Sequence, residues 1–385
     1  MAGSIVSEPS CASQTPGIGI LPSSTQTGSC TTLSPQRATS QKERPMDIGL
    51  LFPFRNPPQW RKPFPQYYAE QLKQMQIAET LGFDTIWLTE HHFAEDGYSP
   101  SLLPIAGAVA AMTSRVRIGT FLLLLPLHNA VRVAEDAATV DILCNGRFDL
   151  GLGQGYSPAE FEGYGISRKE RASRLEEGIE VIRGMWTQDP FSYQGKHYNL
   201  KNISMVPKAP QTPHPPLWIG AGTRKAVGRA ARLGCHFLGS GDASSQAIYD
   251  EALKGYGRDP KDFHAAQLRW VHVAPTYEEA WSDVQHHLHY MLSQYGGWVA
   301  AAKDFPGAEK AAQLPPATEL RNVTEQLIGR PIVGSPDQVG RQIEAMTKSI
   351  RTTHLVMGMH LPGLDPAKSQ RSMELFAKEL MPSLH

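Results

Sequence analysis

Cysteine is scarce in this chain. Its 385 residues include four, Cys11, Cys30, Cys144 and Cys235, with no CxxC pair and no zinc-like spacing. That excludes a disulfide-stapled scaffold and a zinc ribbon, and a reducing, cytoplasmic setting is the expectation. An excess of either charge is missing too. Lysine plus arginine and aspartate plus glutamate each number 37, so the formal net charge is zero. Neither a nucleic-acid surface nor a polybasic membrane patch is expected from such a balance. The longest apolar run, 116–127, contains Arg117 and Pro126 and is too short to span a membrane. No GxGxxG joins a first strand to a helix, which disfavours a dinucleotide Rossmann fold. No GxSxG elbow, no short-period repeat and no paired carboxylates suited to glycosidase chemistry are present, and the first strand lacks the His-x-His of a metal hydrolase barrel.

Large apolar residues are also rare in residues 1–45, which are rich in Ser, Thr, Gly and Pro and have no helical or strand period. Such a segment cannot repay its ordering entropy, so a disordered tail is expected, either a targeting segment or the product of an over-extended start. From Met46 the pattern changes. Hydrophobic residues make up 41% of the chain and charged ones 19%, enough for a sizeable core. Short apolar runs alternate with amphipathic stretches. Strands are expected at 48–53, 84–89, 117–124, 148–153, 217–220, 236–238, 268–274 and 353–358. Helices are expected at 66–81, 130–143, 168–186, 223–233 and 278–295. Eight strands separated by helices are the signature of an α/β fold, the (β/α)8 TIM barrel of ~250 residues, here occupying 46–385. Two insertions enlarge it: 190–215, with a hairpin-like Tyr193-Gln194-Gly195-Lys196-His197-Tyr198, and 296–331, a lid or a disordered segment.

Chemistry in such barrels sits at the C-terminal ends of strands. The second strand is a β-branched and aromatic run, Thr85-Ile86-Trp87-Leu88, that ends in Glu90, His91, His92 and Phe93. Three ionisable side chains in a row fit an exposed strand end facing a cavity better than an interior. Two adjacent histidines are more often packed structural residues than catalytic ones, so their company matters. Phe52 and Phe54 end the first strand and, with Phe93, would line a substrate pocket. Gly151-Leu152-Gly153-Gln154-Gly155-Tyr156 would let something flat approach the backbone. Gly220-Ala221-Gly222-Thr223 opens a helix, where unpaired N–H groups make a phosphate site. His286, His287 and His289 read as a solvated helix face. No metal site is expected.

Several segments together resemble a known family. Leu81-Gly82-Phe83-Asp84-Thr85-Ile86-Trp87-Leu88-Thr89-Glu90-His91-His92-Phe93, Val133-Ala134-Glu135-Asp136-Ala137-Ala138-Thr139-Val140-Asp141, Asn145-Gly146-Arg147-Phe148-Asp149-Leu150-Gly151-Leu152-Gly153 and Pro216-Leu217-Trp218-Ile219-Gly220 carry the likeness. Ala230-Ala231-Arg232-Leu233-Gly234, Val333-Gly334-Ser335-Pro336 and 375–382 extend it. In order, they resemble the bacterial luciferase-like flavin-dependent monooxygenases, in the luciferase-α-like branch. The resemblance implies reduced FMN, supplied by a separate NAD(P)H flavin reductase, and O2 that forms a C4a-peroxyflavin and oxygenates a small or medium apolar substrate. It implies His91 as acid/base, with His92 and Glu90 shaping or orienting it. It also implies a non-proline cis peptide at Phe121–Leu122 behind the flavin, and a homodimer. Gln154 stands where a luciferase has a phosphate-contacting arginine, so Arg224 would have to substitute. The alternatives are an F420-dependent oxidoreductase on the same barrel and a non-catalytic flavin-binding subunit.

Overall fold

The computed structural model describes residues 46–384 apart from 241, 305–307 and 328; the tail expected over 1–45 lies outside the described residues. Eight parallel strands close on themselves. They are β1 (Asp47–Phe52), β2 (Thr85–Leu88), β3 (Arg117–Thr120), β4 (Phe148–Gly153), β5 (Leu217–Gly220), β6 (His236–Gly239), β7 (Ala265–Val273) and β8 (His354–Gly358). Each pairs with the next, β6 pairs with β7 and β8 with β1, so the sheet has no free edge within this ring. The chain folds as a (β/α)8 barrel. A two-residue strand, Leu123–Leu124, carries the third run onward beside β4.

Alternation decides what faces where. In β1, Ile48, Leu50 and Phe52 pack in the cluster shared with the helices, while Leu51 joins the lumen cluster with Trp87, Trp218, Leu238, Trp270 and Val356. Two tryptophans fill the lumen: the Trp87 and Trp218 rings meet edge-on at 5.5 Å. Their bulk requires small neighbours, since a Cβ at Gly49 would lie 2.7 Å, and one at Gly119 2.4 Å, from Trp87. Large and small residues thus interlock across adjacent strands.

The outer helices are α1 (Phe64–Leu81), α2 (Leu102–Met112), α3 (Ala130–Leu143), α4 (Arg171–Thr187), α5 (Arg224–Leu233), α6 (Ala243–Gly255), α7 (Tyr277–Ala302), α8 (Pro336–Ser349) and α9 (Pro366–Glu379). Their starts are chemically marked. Asn129 accepts from the Val131 and Arg132 amides, Asp242 from those of Ser244 and Ser245, and Ser335 with Gln338 forms a capping box. The insertion at 190–215 contains an antiparallel pair, Phe191–Gln194 with Asn199–Ile203. The other insertion differs from expectation. The helix read as ending at Tyr295 runs on through Gly296 and Gly297 to Ala302, and short 3-10 turns follow. Gly296 does not break it, because its bare Cα lets the Ala311 carbonyl approach where a Cβ would come within 2.1 Å. No described helix is long and apolar enough to cross a membrane.

Candidate active site

A cavity of about 380 Å³ opens at the C-terminal ends of the strands. Its walls are largely apolar or aromatic: Phe121, Leu122, Leu124, Tyr156, Trp270 and Tyr295. Among its described lining residues His91 is the one imidazole. The loop after β2 places it there and fixes it from two sides: its backbone N–H donates to the Ser99 carbonyl at 3.2 Å. Its ring Nδ1 pairs with Glu160 Oε1 at 2.8 Å, and its Nε2 stands 3.5 Å from the Tyr156 hydroxyl.

Glu160 escaped the sequence reading. It comes from the short helix Pro158–Gly163, is 1% exposed, and its Oε1 also accepts the His92 N–H at 3.0 Å. A buried carboxylate bonded to an imidazole nitrogen sets the tautomer of the ring, leaving Nε2 as the working atom. The available signal was a proline-led helix turn with an acidic residue directly after the glycine-rich strand end.

Glu90 has different company. Its Oε1 meets His92 Nε2 at 2.5 Å and His128 Nε2 at 2.8 Å, and its Oε2 accepts the Leu124 N–H at 3.1 Å. Tyr164 OH meets the other nitrogen of His92, Nδ1, at 3.1 Å. Burial pushes the Glu90 carboxyl up, but the bonds from His128 and His92 outweigh it and hold the group below the usual carboxylate range. Glu90, His92 and His128 bring ligand atoms within 4.8 Å of one another, a grouping that could hold a metal ion, although direct hydrogen bonds join them here. Burial also drives the Tyr156 hydroxyl well above its ordinary range, so it remains a donor.

The peptide bond between Phe121 and Leu122 is cis, and both side chains line the cavity. The Leu122 side chain packs directly over the glycines at the ends of β4 and β5. A Cβ at Gly153 would lie 2.8 Å, and one at Gly220 2.4 Å, from its side chain. Gln154, Gly222 and Thr223 line the cavity as well, and Thr223 caps α5. Arg224 does not. Lys225 and Arg229, one turn apart at i and i+4, project together instead, toward the adjoining space that Ala226 also lines. Arg229 donates to Gln154 Oε1 at 3.2 Å and pairs with Glu176 at 2.5 Å. A second space of about 370 Å³ adjoins, sharing Gln154, Arg171, Thr223 and Ala226 with the first and lined also by Arg168, Lys169, Lys225 and Arg229.

The three phenylalanines expected in the substrate pocket lie elsewhere. Strand parity turns Phe52 toward the helices, where it stacks on His360 at 4.2 Å; Phe54 is buried against Tyr68. Phe93, at φ 58°, points to solvent with 66% exposure, beside Tyr164.

A family profile described as luciferase-like monooxygenase matches residues 46–353. The chain belongs to that family. Luciferase-like relatives of this chain use different cofactors. The oxygenase component of the flavin-dependent trigonelline monooxygenase of Acinetobacter baylyi is 27% identical over 242 residues, 60% of this chain and 66% of that one. The F420-dependent glucose-6-phosphate dehydrogenase of Amycolatopsis mediterranei is 29% identical over 320 residues, 80% of this chain and 92% of that one. The crystal structure of monooxygenase RslO1 from Streptomyces bottropensis superposes with a TM-score of 0.73 at 26% identity, covering 88% of this chain and 100% of that one. Against the first curated relatives that it matches, the chain spans about half of their length, 46% and 52% for two of them. The luciferase-like family thus includes both flavin-dependent monooxygenases and F420-dependent oxidoreductases.

Proposed function

We propose that this luciferase-like protein is an FMN-dependent monooxygenase acting on a small or medium apolar organic substrate. The observation that carries the reading is His91: the one imidazole among the described lining residues of a largely apolar cavity, with Nδ1 committed to buried Glu160 and Nε2 directed at the Tyr156 hydroxyl. The donor set fits a planar phosphorylated cofactor. Apolar surface from Phe121, Leu122 and Leu124 suits the ring, and the start of α5 with Lys225 and Arg171 suits a phosphate. Reduced FMN, when bound, supplies the electrons that activate O2. His91 Nε2 takes up and returns a proton at the reacting centre, Glu160 fixes its tautomer, and the Tyr156 hydroxyl donates. The apolar walls keep water away from the reacting atoms. A separate flavin reductase would deliver the reduced cofactor, and a homodimer is proposed by family analogy.

One observation favours a second reading. The cations Arg168, Lys169, Lys225 and Arg229 carry the phosphate end outward into the adjoining space, room for the longer anionic tail of F420. Anaerobic titration with reduced FMN and, separately, reduced F420, followed by O2, separates the two. Tight FMN binding and an oxygenated product labelled from 18O2, lost in His91→Ala, support the monooxygenase. Binding of F420 alone, with hydride transfer and no label, replaces it with the second reading. FMN binding without any product indicates a non-catalytic flavin protein.

A further inference from the structure

Arg55 is buried to 1% exposure just beyond β1. Its Nε pairs with Asp96 Oδ2 at 2.6 Å, and its Nη1 and Nη2 have no hydrogen-bond partner. What surrounds the guanidinium is aromatic. The ring centroids of Tyr98, Trp298, Tyr290 and Tyr295 lie 5.1, 5.4, 5.5 and 5.5 Å from its central carbon. Three of the four rings come from the second half of α7, the helix that continues into the insertion. A cation enclosed by ring faces and removed from water attracts them more strongly than an exposed one.

Those rings also enclose His91. Trp298 lies against it with centroids 4.5 Å apart and planes 32° from parallel, Tyr98 meets it edge-on at 4.8 Å, and Tyr295 stands at 6.0 Å. Tyr98 and Tyr295 are joined by their hydroxyls at 2.7 Å, and the Tyr98 hydroxyl also donates to Thr89 at 3.1 Å. The Tyr290 hydroxyl donates to Asp96 Oδ2 at 3.2 Å and so closes the box from the same carboxylate that holds Arg55. No hydrogen bond joins Arg55 to His91 among the described residues. The connection between them is the three rings they share, Tyr98, Tyr295 and Trp298, of which Trp298 lies closest to His91.

We propose that Arg55 is a positioning residue for His91, acting through Trp298: the buried guanidinium draws α7 down over the cavity and holds the indole against the imidazole. This rests on His91 being the reacting imidazole. Glu160 grips Nδ1 on one side, Trp298 limits rotation on the other, and Nε2 is left facing Tyr156. Groups facing His91 from every packed element are then Glu160 and Tyr156 after β4, Tyr98 after β2, and Tyr295 and Trp298 on α7. The first insertion-borne contact with the chemistry is therefore an aromatic one, and an arginine ahead of the first helix sets it.

The test reads His91 directly, by NMR of its ring Hε1 resonance in the unliganded full chain, with Arg55→Lys, Trp298→Leu, Trp298→Phe and the Arg55→Lys/Trp298→Leu pair. Trp298→Leu should move the resonance by removing the ring current. Arg55→Lys, which loses the planar fork that spreads over the rings, should move the resonance the same way, and the pair should add nothing to Trp298→Leu alone. Trp298→Phe should restore most of the wild-type behaviour. In turnover, kcat should fall by about 10- to 100-fold in Trp298→Leu with KM little changed, the penalty of a misaligned group. An unmoved His91 resonance in Arg55→Lys, or effects that add in the pair, would overturn the proposal. Should Arg55→Lys fail to fold by circular dichroism, an unmoved resonance in Trp298→Leu overturns it by itself. Failure of the flavin reading would show differently, as no oxygenated product from any chain, wild type included, with the NMR result intact.

Discussion

The two ends of this barrel both collect histidines, and they treat them in opposite ways. Around the mouth three imidazoles have a carboxylate: His91 has Glu160, while His92 and His128 share Glu90; His360, just past β8, is buried on Phe52 without one among the described residues. At the floor, under Trp218, His236, His264 and His354 face one another at centroid distances of 4.8 and 4.9 Å. Burial lowers His236 to about 3 and His354 well below its ordinary range, and in both the neighbouring histidines add to the effect. The difference teaches what position in a barrel demands. An imidazole that must exchange protons is placed beside a fixed negative charge. An imidazole that only fills space is kept neutral and packed against an indole.

The largest effect expected from breaking this contrast comes at the mouth. Glu160→Ala leaves the buried Nδ1 of His91 without its partner, and turnover should drop by about 10²–10⁴, the usual worth of a positioned acid/base. Steady-state kinetics with the cofactor saturating checks it. Equal activity would remove Glu160 from the reaction.

Next is the acid sensitivity of the floor. The folded pKa values of His236 and His354 lie below their unfolded value, so the unfolded chain binds more protons between about pH 3 and 6.5. Stability is therefore full above the unfolded histidine range and is lost as pH falls through that window. Asp47 works against this slope. Burial, with Asp84 adding, raises it to about 7, so the folded chain holds the extra proton between about pH 4 and 7. Asp47→Asn should steepen the acid loss and raise the melting temperature relative to wild type above pH 7. Thermal melts at pH 5, 6.5 and 8 test both signs. A flat profile in Asp47→Asn, where the opposing carboxyl is gone, would mean that the floor histidines ionise freely.

A smaller effect separates neighbouring cations. Lys225→Ala should weaken FMN or inorganic phosphate by about 3- to 10-fold, the scale of one partly exposed charge contact, whereas Arg224→Ala should leave affinity alone. Fluorescence titration decides it, and the reverse ranking would return the phosphate contact to Arg224.

Most of the barrel was legible because parallel strands buried on both faces read as short apolar runs. The strands at 148–153 and 217–220 fall where the apolar runs place them, and the others differ by a few residues at their ends. The strand end also marked Glu90, His91 and His92, which the structure buries in hydrogen-bonded carboxylate–imidazole pairs. Less was legible where spatial closure decides. Glu160 lies 69 residues beyond His91 and reaches it only because β4 sits two strands from β2 in the closed sheet. Phe52 read as pocket-lining because apolarity was followed and parity was not. Arg229 holds Gln154 where Arg224 was expected, a matter of helical phase within one turn and a half. Trp298 lay in the insertion read as a lid or a disordered segment, whose first residues in fact continue the helix.

The lumen plug has a consequence for traffic. Phe121, Trp87, Trp218 and His354 stand ring to ring from the cavity to the floor. Among the described residues the barrel is closed at its base, so under the proposed function cofactor, oxygen, substrate and product would all pass through the mouth. Arrivals in such a vessel must queue. A substrate seated above the cofactor bars its exit, and adding substrate should slow the release of bound flavin.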